Sequence, residues 1–397
     1  MIQFIIFTIL LLVILGSLLR ELIMGIHWII KKRKNVDLNK TRFRLKRNAV
    51  VTGGLLLIMF GFITFSHFSA STPSIKNNQE KTLPGSIAEL RKVELNGRQE
   101  WISIRGENKN NPILLFLAGG PGGTQMAACR YNLKGLEKNF VVVNWDLPGS
   151  GKSYYAVNQK SLTVDTYIQD GYALTKYLCY SFGKEKIYLV GESWGSALGI
   201  FLAEKHPELY HAFIGTGQMV DFVETEKLDY EKALEIAQAK NNIKLINKLK
   251  ANGIPPYYGS DVTWKSTEYL NYLNAYMDKN PEIQNPGFNT FRDIFSPEYD
   301  IIDKINYIWG LIKTFNHVYP QLYNTDLRKD YTKIKIPVYF FIGRNDINAP
   351  ISLVEDYYKV LESPHKEIVW FEHSGHSPWI NESDKSVKEL NRITNKF

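Results

Sequence analysis

Two uncharged apolar runs open the chain. Ile2 to Leu19 is 18 residues without a charge, and Ala49 to Phe68 is 20 residues whose one titratable side chain is His67. At about 1.5 Å rise per helical residue, either run reaches across a hydrocarbon core of about 30 Å, the first by continuing into Leu22–Ile30. Backbone in lipid must satisfy its own hydrogen bonds, so both runs are expected to be transmembrane helices. Ser71–Gly85 is polar, contains two prolines and reads as a linker.

From about Ser86 the pattern changes to short apolar runs bounded by Gly, Pro or Asp. Arg98–Arg105, Pro112–Leu117, Phe140–Trp145, Ile187–Val190, Ala212–Gly215, Pro337–Ile342 and Glu367–Phe371 read as strands. Several are continuously apolar, as strands buried on both faces of a mostly parallel sheet are. Between them, Val164–Phe182, Ser196–Lys205, Ile351–Leu361 and Lys385–Thr394 have helical patterns. Strand and helix in alternation predict an α/β sheet covered by helices. Residues 221–325 break the alternation with a helical, aromatic-rich stretch that includes Tyr257, Trp264, Tyr269, Phe291 and Trp309. It is expected to be a cap whose rings mostly pack against one another. The organisation expected is an anchor at 1–70, a linker at 71–85, a core at 86–220 and 326–397, and the cap at 221–325.

The formal charge of +8 is confined to one place. Residues 1–70 hold ten Lys/Arg and two acids, and the other 327 residues are balanced. Nine of those ten basic residues lie in Lys31–Arg47, between the apolar runs. The positive-inside bias puts this loop in the cytoplasm and everything after Phe68 outside. A cleavable signal peptide is the competing reading. The first run has no basic segment before it and a second span follows, which favours the hairpin. The balanced remainder carries no nucleic-acid footprint. Two cysteines, Cys129 and Cys179, make neither a metal spacing nor a disulfide framework, although one bridge between them stays open.

Gly191-Glu192-Ser193-Trp194-Gly195 follows a predicted strand and precedes a predicted helix. That context fits a nucleophile elbow, in which a tight turn holds a serine above the sheet edge and small flanking residues let strand and helix approach. A serine hydroxyl needs a base, and the base an orienting carboxylate. In the chain order serine, acid, histidine, Asp346 follows the strand Pro337–Ile342, and His376 follows the last predicted strand. His373 competes with His376 in the same loop; Gly375 and Pro378 give His376 the more defined turn. Asp326 and Asp330 precede their strand and are poor candidates for the acid. Ala118-Gly119-Gly120-Pro121-Gly122-Gly123 leaves the strand Ile113–Leu117. Backbone N–H groups there can meet developing negative charge, so the oxyanion hole is assigned to the N–H groups of Gly120 and Trp194. Gly149-Ser150-Gly151-Lys152-Ser153 resembles the end of a phosphate loop, but Asp146 stands where its first glycine is required.

Together these residues resemble the prolyl iminopeptidase family of α/β-hydrolases over roughly residues 86–397. The family pattern is His-Gly-Gly-Pro-Gly, then Asp-Gln-Arg-Gly-x-Gly-x-Ser, then Gly-Gly-Ser-Trp-Gly. Here the corresponding segments are Ala118–Gly122, Asp146–Ser153 and Gly191–Gly195. The glycines are kept, whereas Ala118 replaces the histidine and Leu147-Pro148 replaces Gln-Arg, which weakens any claim to proline specificity.

The resemblance implies an α/β-hydrolase fold and a serine hydrolase that needs no metal or organic cofactor. It also implies cap carboxylates that recognise a substrate's free amino group, for which Glu224 and Glu226 are the candidates. Three readings follow: an aminopeptidase on short peptides, an esterase or lipase on small or lipid esters near a membrane, and a catalytically silent scaffold that reuses the fold.

Overall fold

The computed structural model describes residues 1–394 and divides into two units. The first comprises Met1–Ser71 together with Phe295–Ile305. Helices α1 (Ile2–Arg33) and α2 (Asn39–Ser69) form its body, and both are long and apolar enough to cross a membrane. Most of their large apolar side chains are exposed.

Polar side chains meet between the two helices. Ser17 and Thr52 hydroxyls lie 2.7 Å apart, Asn48 Nδ2 donates to the Ser17 carbonyl at 3.1 Å, and Thr52 donates to Glu21 Oε1 at 2.6 Å. Such bonds fix the rotation of one apolar helix against another. At the far end of α2, Ser71 N–H donates to the Pro297 carbonyl, Ile301 N–H donates to Ser66 Oγ, and His67 Nδ1 lies 2.7 Å from Asp300 Oδ2. The stretch 295–305, inside the region expected to be cap, therefore packs with the helical pair.

The second unit comprises Thr72–Ile294 and Asn306 onward. Its centre is a sheet of eight strands: β1 (Ile87–Leu95), β2 (Arg98–Gly106), β3 (Ile113–Leu117), β4 (Val141–Asp146), β5 (Ile187–Glu192), β6 (Tyr210–Thr216), β7 (Val338–Gly343) and β8 (Lys366–Phe371). The order is β1-β2-β4-β3-β5-β6-β7-β8, with β1–β2 and β2–β4 antiparallel and the rest parallel. Every residue of β3, β4, β5 and β7 is buried.

Alternation of side chains across the pleat splits the core in two. Ile113, Leu115 and Leu117 of β3 pack on one face with helices α4 (Val164–Phe182) and α5 (Trp194–Lys205), while Leu114 and Phe116 pack on the other with α3 (Met126–Asn132) and Trp379. Each such side chain contributes about 1.5–3 kcal/mol by leaving water. Both cysteines are free.

All seven expected strands are present. The eighth, β1, was not expected. It is an edge strand that carries Glu89, Arg91, Lys92 and Glu94, charges that protect an edge from unwanted pairing and also hide it from hydropathy.

The cap begins with α6 (Phe222–Ala239), α7 (Ile243–Asn252) and α8 (Val262–Met277), followed by shorter helices as far as Leu322. It has its own small core, in which Tyr230, Ala233, Leu249, Tyr257, Tyr269 and Leu273 meet. Its aromatics divide: Tyr257, Tyr269 and Tyr307 are buried, whereas Tyr258, Trp264, Phe291 and Trp309 are exposed.

Candidate active site

The sharpest backbone feature of the sheet edge is at the end of β5. Ser193 has φ 54° and ψ −121°, in a region that non-glycine residues avoid, and α5 starts at the next residue. Glycine on both sides is a steric requirement. A Cβ on Gly191 would run into the Gly195 carbonyl, and a Cβ on Gly195 into the Leu117 carbonyl of β3. Ser193 N–H donates to Thr216 O of β6 at 3.0 Å, and Ser193 O accepts from Ser196 N–H at 2.8 Å. The turn is thereby fixed from the sheet side and the helix side.

Asp346 leaves the carboxyl end of β7. Its Oδ1 accepts from the N–H groups of Asn348 at 2.9 Å and Ala349 at 3.0 Å. His376 lies past β8, and its Nδ1 is 3.0 Å from Asp346 Oδ2 and 3.2 Å from Oδ1. The loop that carries it is tied down by Asn381, which accepts from Gly375 N–H, and by Glu382, which accepts from His373 N–H and Ser374 Oγ. His373 itself turns away, with Nδ1 3.1 Å from the Glu282 carbonyl. Burial works against a charged His376. The Asp346 carboxylate, through charge and hydrogen bond, and then Glu192 outweigh it and raise the pKa to about 9.

Ser193, His376, Gly120 and Trp194 line one pocket of about 540 Å³, a size suited to a small ligand. The phosphate-loop look-alike has another role. Asp146 accepts from the Thr124 hydroxyl and from Lys152 N–H at 2.8 Å, so the Gly149–Ser153 segment folds onto a carboxylate instead of opening toward an anion.

The two cap acids singled out from the sequence do not line this pocket. Glu224 is exposed and pairs with Arg328 at 2.7 Å. Glu226 is buried, with its oxygens taken by the hydroxyls of Tyr319 at 2.9 Å, Ser266 at 3.2 Å and Tyr269. Burial pushes its carboxyl up and these three hydrogen bonds pull it back.

Asp229, three residues further along α6, does line the pocket. It is 1% exposed, and neither carboxylate oxygen has a hydrogen-bond partner among the described residues. Burial, then the charges of Glu226 and Asp346, hold its carboxyl well above the usual range. No sequence signal distinguished it from the other acids of α6. Glu192 was also passed over, although it sits inside the elbow motif.

Comparison with known proteins agrees with this architecture. A family model described as alpha/beta hydrolase fold matches residues 112–244. Over 318 residues the chain is 31% identical to a probable aminopeptidase, YbaC, of Bacillus subtilis, covering 77% of this chain and 96% of that protein. It is 26% identical to a proline iminopeptidase of Saccharolobus solfataricus, over 72% of this chain and 85% of the relative. Among solved structures, a proline iminopeptidase of Mycobacterium smegmatis superposes with a TM-score of 0.55 at 15% identity, over 77% of this chain and 98% of that one. With a glycine-flanked serine turn at the head of a mostly parallel sheet and a relative of this identity and coverage, the chain belongs to the prolyl iminopeptidase-like family of α/β-hydrolases.

Proposed function

We propose that this chain is a membrane-anchored serine aminopeptidase that removes residues from short peptides with a free N-terminus. The observation that carries the reading is Asp229, a buried carboxylate without a hydrogen-bond partner among the described residues, in the same pocket as Ser193 and His376. A buried carboxylate without a partner costs several kcal/mol as an anion and so rests protonated. A substrate ammonium supplies the missing countercharge. An ester with no amino group offers no countercharge and leaves the carboxyl protonated.

In the proposed reaction, His376 Nε2 takes the Ser193 proton as Oγ attacks the carbonyl carbon. Asp346 holds Nδ1–H, fixes the tautomer and stabilises the imidazolium. The N–H groups of Gly120 and Trp194 receive the oxyanion. The imidazolium gives its proton to the leaving amine, and water, deprotonated by the same histidine, releases the acyl group from Ser193. The two apolar helices are read as spans, with Lys31–Arg47 cytoplasmic and the hydrolase unit outside. A reporter fused after residue 75 that scored as cytoplasmic would overturn that topology.

The deciding assay compares an alanyl or prolyl amide, its N-acetylated counterpart and a short-chain nitrophenyl ester, with the full chain and with Ser193→Ala. Cleavage of the free amide and not the acetylated one, lost in Ser193→Ala, is the expected result. Serine-dependent ester cleavage with no turnover of the free amide would replace the aminopeptidase by an esterase. Activity that survives Ser193→Ala would sink the nucleophile assignment.

A further inference from the structure

The pocket contains a second carboxylate for which the proposed triad has no use. Glu192 ends β5, immediately before Ser193, and is 2% exposed. Its Oε2 accepts from Gln125 Nε2 at 2.8 Å, and its Oε1 accepts from Ser377 Oγ at 3.1 Å. Gln125 stands at the close of the glycine loop that carries Gly120, and Ser377 is the residue after His376. One side chain therefore joins three segments that meet at the sheet edge: the serine turn, the glycine loop and the histidine loop. The glycine loop is shaped around it, because a Cβ on Gly119 would collide with Glu192 Oε2. The family pattern has glycine at this place in the elbow, and glycine has no side chain with which to make either bond.

We propose that Glu192 is a positioning residue for acyl transfer: its carboxylate pins the glycine loop through Gln125 and the histidine loop through Ser377, and its charge faces the imidazolium formed when His376 takes the serine proton. The proposal rests on the reading of Ser193 as nucleophile and His376 as base. A carboxylate this deep needs hydrogen bonds or countercharge to remain ionised. Burial raises the Glu192 carboxyl. The His376 charge and the Gln125 and Ser377 bonds oppose that rise, and Asp346 adds to it. The charged groups that act on His376 are Asp346 and Glu192. Two carboxylates about one imidazole stabilise its protonated form. They favour the proton-transfer intermediate and require a higher pH before the resting base is neutral. The two loops that Glu192 joins carry the oxyanion donor Gly120 and the base His376, whose mutual placement sets the reaction rate.

The test uses the full chain in detergent and an alkyl fluorophosphonate, which reports on serine reactivity whatever the natural substrate is. The rate constant for labelling is followed from acid to alkaline pH in wild type, Glu192→Gln and Glu192→Ala, with thermal midpoints measured alongside. Glu192→Gln can keep a hydrogen bond to Gln125 and to Ser377 and loses the charge, so its acid limb moves down by about one pH unit and its plateau falls, though less than that of Glu192→Ala. Glu192→Ala loses the bonds as well, and its plateau falls by about 10²-fold. The shift of the acid limb in Glu192→Gln separates this role from a merely structural need for a filled site, which glutamine would meet without moving the pH profile. An acid limb that stays in place in Glu192→Gln, or a plateau that survives Glu192→Ala, overturns the proposal. Wild type that is not labelled, or that labels equally after Ser193→Ala, overturns the underlying reading of Ser193, a separate and recognisable failure.

Discussion

Glu226 and Asp229 lie one helical turn apart on α6, and their carboxylates are in opposite conditions: three hydroxyls hold the first, and no group among the described residues holds the second. The first closes the interior of the cap, and the second is the acid proposed to meet the substrate's amino group.

The unpartnered acid gives the most direct test of specificity. Asp229→Asn keeps the volume and removes the countercharge. A hydrogen bond to a charged group is worth about 1.5–3 kcal/mol, so kcat/KM for a free aminoacyl amide should fall by roughly 10–10²-fold. Hydrolysis of a short nitrophenyl ester should change little. Equal losses on both substrates would mean that Asp229 supports the fold and does not read the amino group.

The same residue predicts a proton balance. In the empty pocket the Asp229 carboxyl is raised, so it is protonated over a pH range in which an ordinary aspartate is not. An arriving ammonium lowers its pKa, and the proton leaves on binding. Titration calorimetry of Ser193→Ala with a free aminoacyl amide, in buffers of different ionisation enthalpy, should register proton release that shrinks as pH rises. Binding with no proton exchange at any pH would contradict the assignment.

Glu226 predicts stability rather than specificity. Glu226→Ala strands the hydroxyls of Tyr269, Tyr319 and Ser266 in the cap interior, at a cost of about 3 kcal/mol or more and a clear drop in Tm. Glu224→Ala breaks an exposed pair with Arg328 and should cost no more than about 0.5–1 kcal/mol. If the two variants melted together, the hydroxyl cluster would not be what holds the cap.

How these acids behave could not be read from the sequence, and the reason is geometric. Glu224, Glu226 and Asp229 share one helix, and only the packing of α8 and Tyr319 against it decides which faces solvent, hydroxyls or pocket. The elbow was legible because its chemistry is local: the tight turn at Ser193 needs glycine on both sides, and Gly191 and Gly195 each stand two residues from it. That Asp346 and His376 follow strands in that chain order could be read from the sequence; their catalytic roles belong to the proposed reaction. Strand β1 was not, because an edge strand wears charges where an interior strand wears aliphatics. Glu192 stood in view inside the motif, but its partners Gln125 and Ser377 are 67 and 185 residues away.

The glycines of the elbow make a sharper prediction than the serine does. In Gly195→Ala the new methyl group meets the Leu117 carbonyl, part of β3 at the centre of the sheet, which cannot move aside without breaking its ladder. The expected result is loss of fluorophosphonate labelling together with a lowered Tm. Ser193→Ala should lose labelling and keep its Tm, because alanine bears the same positive φ as serine. If Gly195→Ala labelled normally, the close approach of α5 to β3 would be wrong.

The histidine links the site to stability, and the sign can be worked out. His376 has its pKa raised from 6.5 to about 9 in the folded chain. A raised pKa means that the folded state holds the proton more tightly than the unfolded state. The resulting stabilisation is complete below about pH 6.5 and disappears as pH climbs through about 9. Wild type should therefore lose Tm relative to His376→Gln across that window, with the difference between the two curves flat at either end. Catalysis has the opposite slope, because the base must be neutral to accept the serine proton, so labelling should rise over the same interval in which stability falls. A difference curve with no pH dependence would mean that Asp346 and Glu192 do not hold a proton on His376, and the rise in labelling would then need another group to explain it.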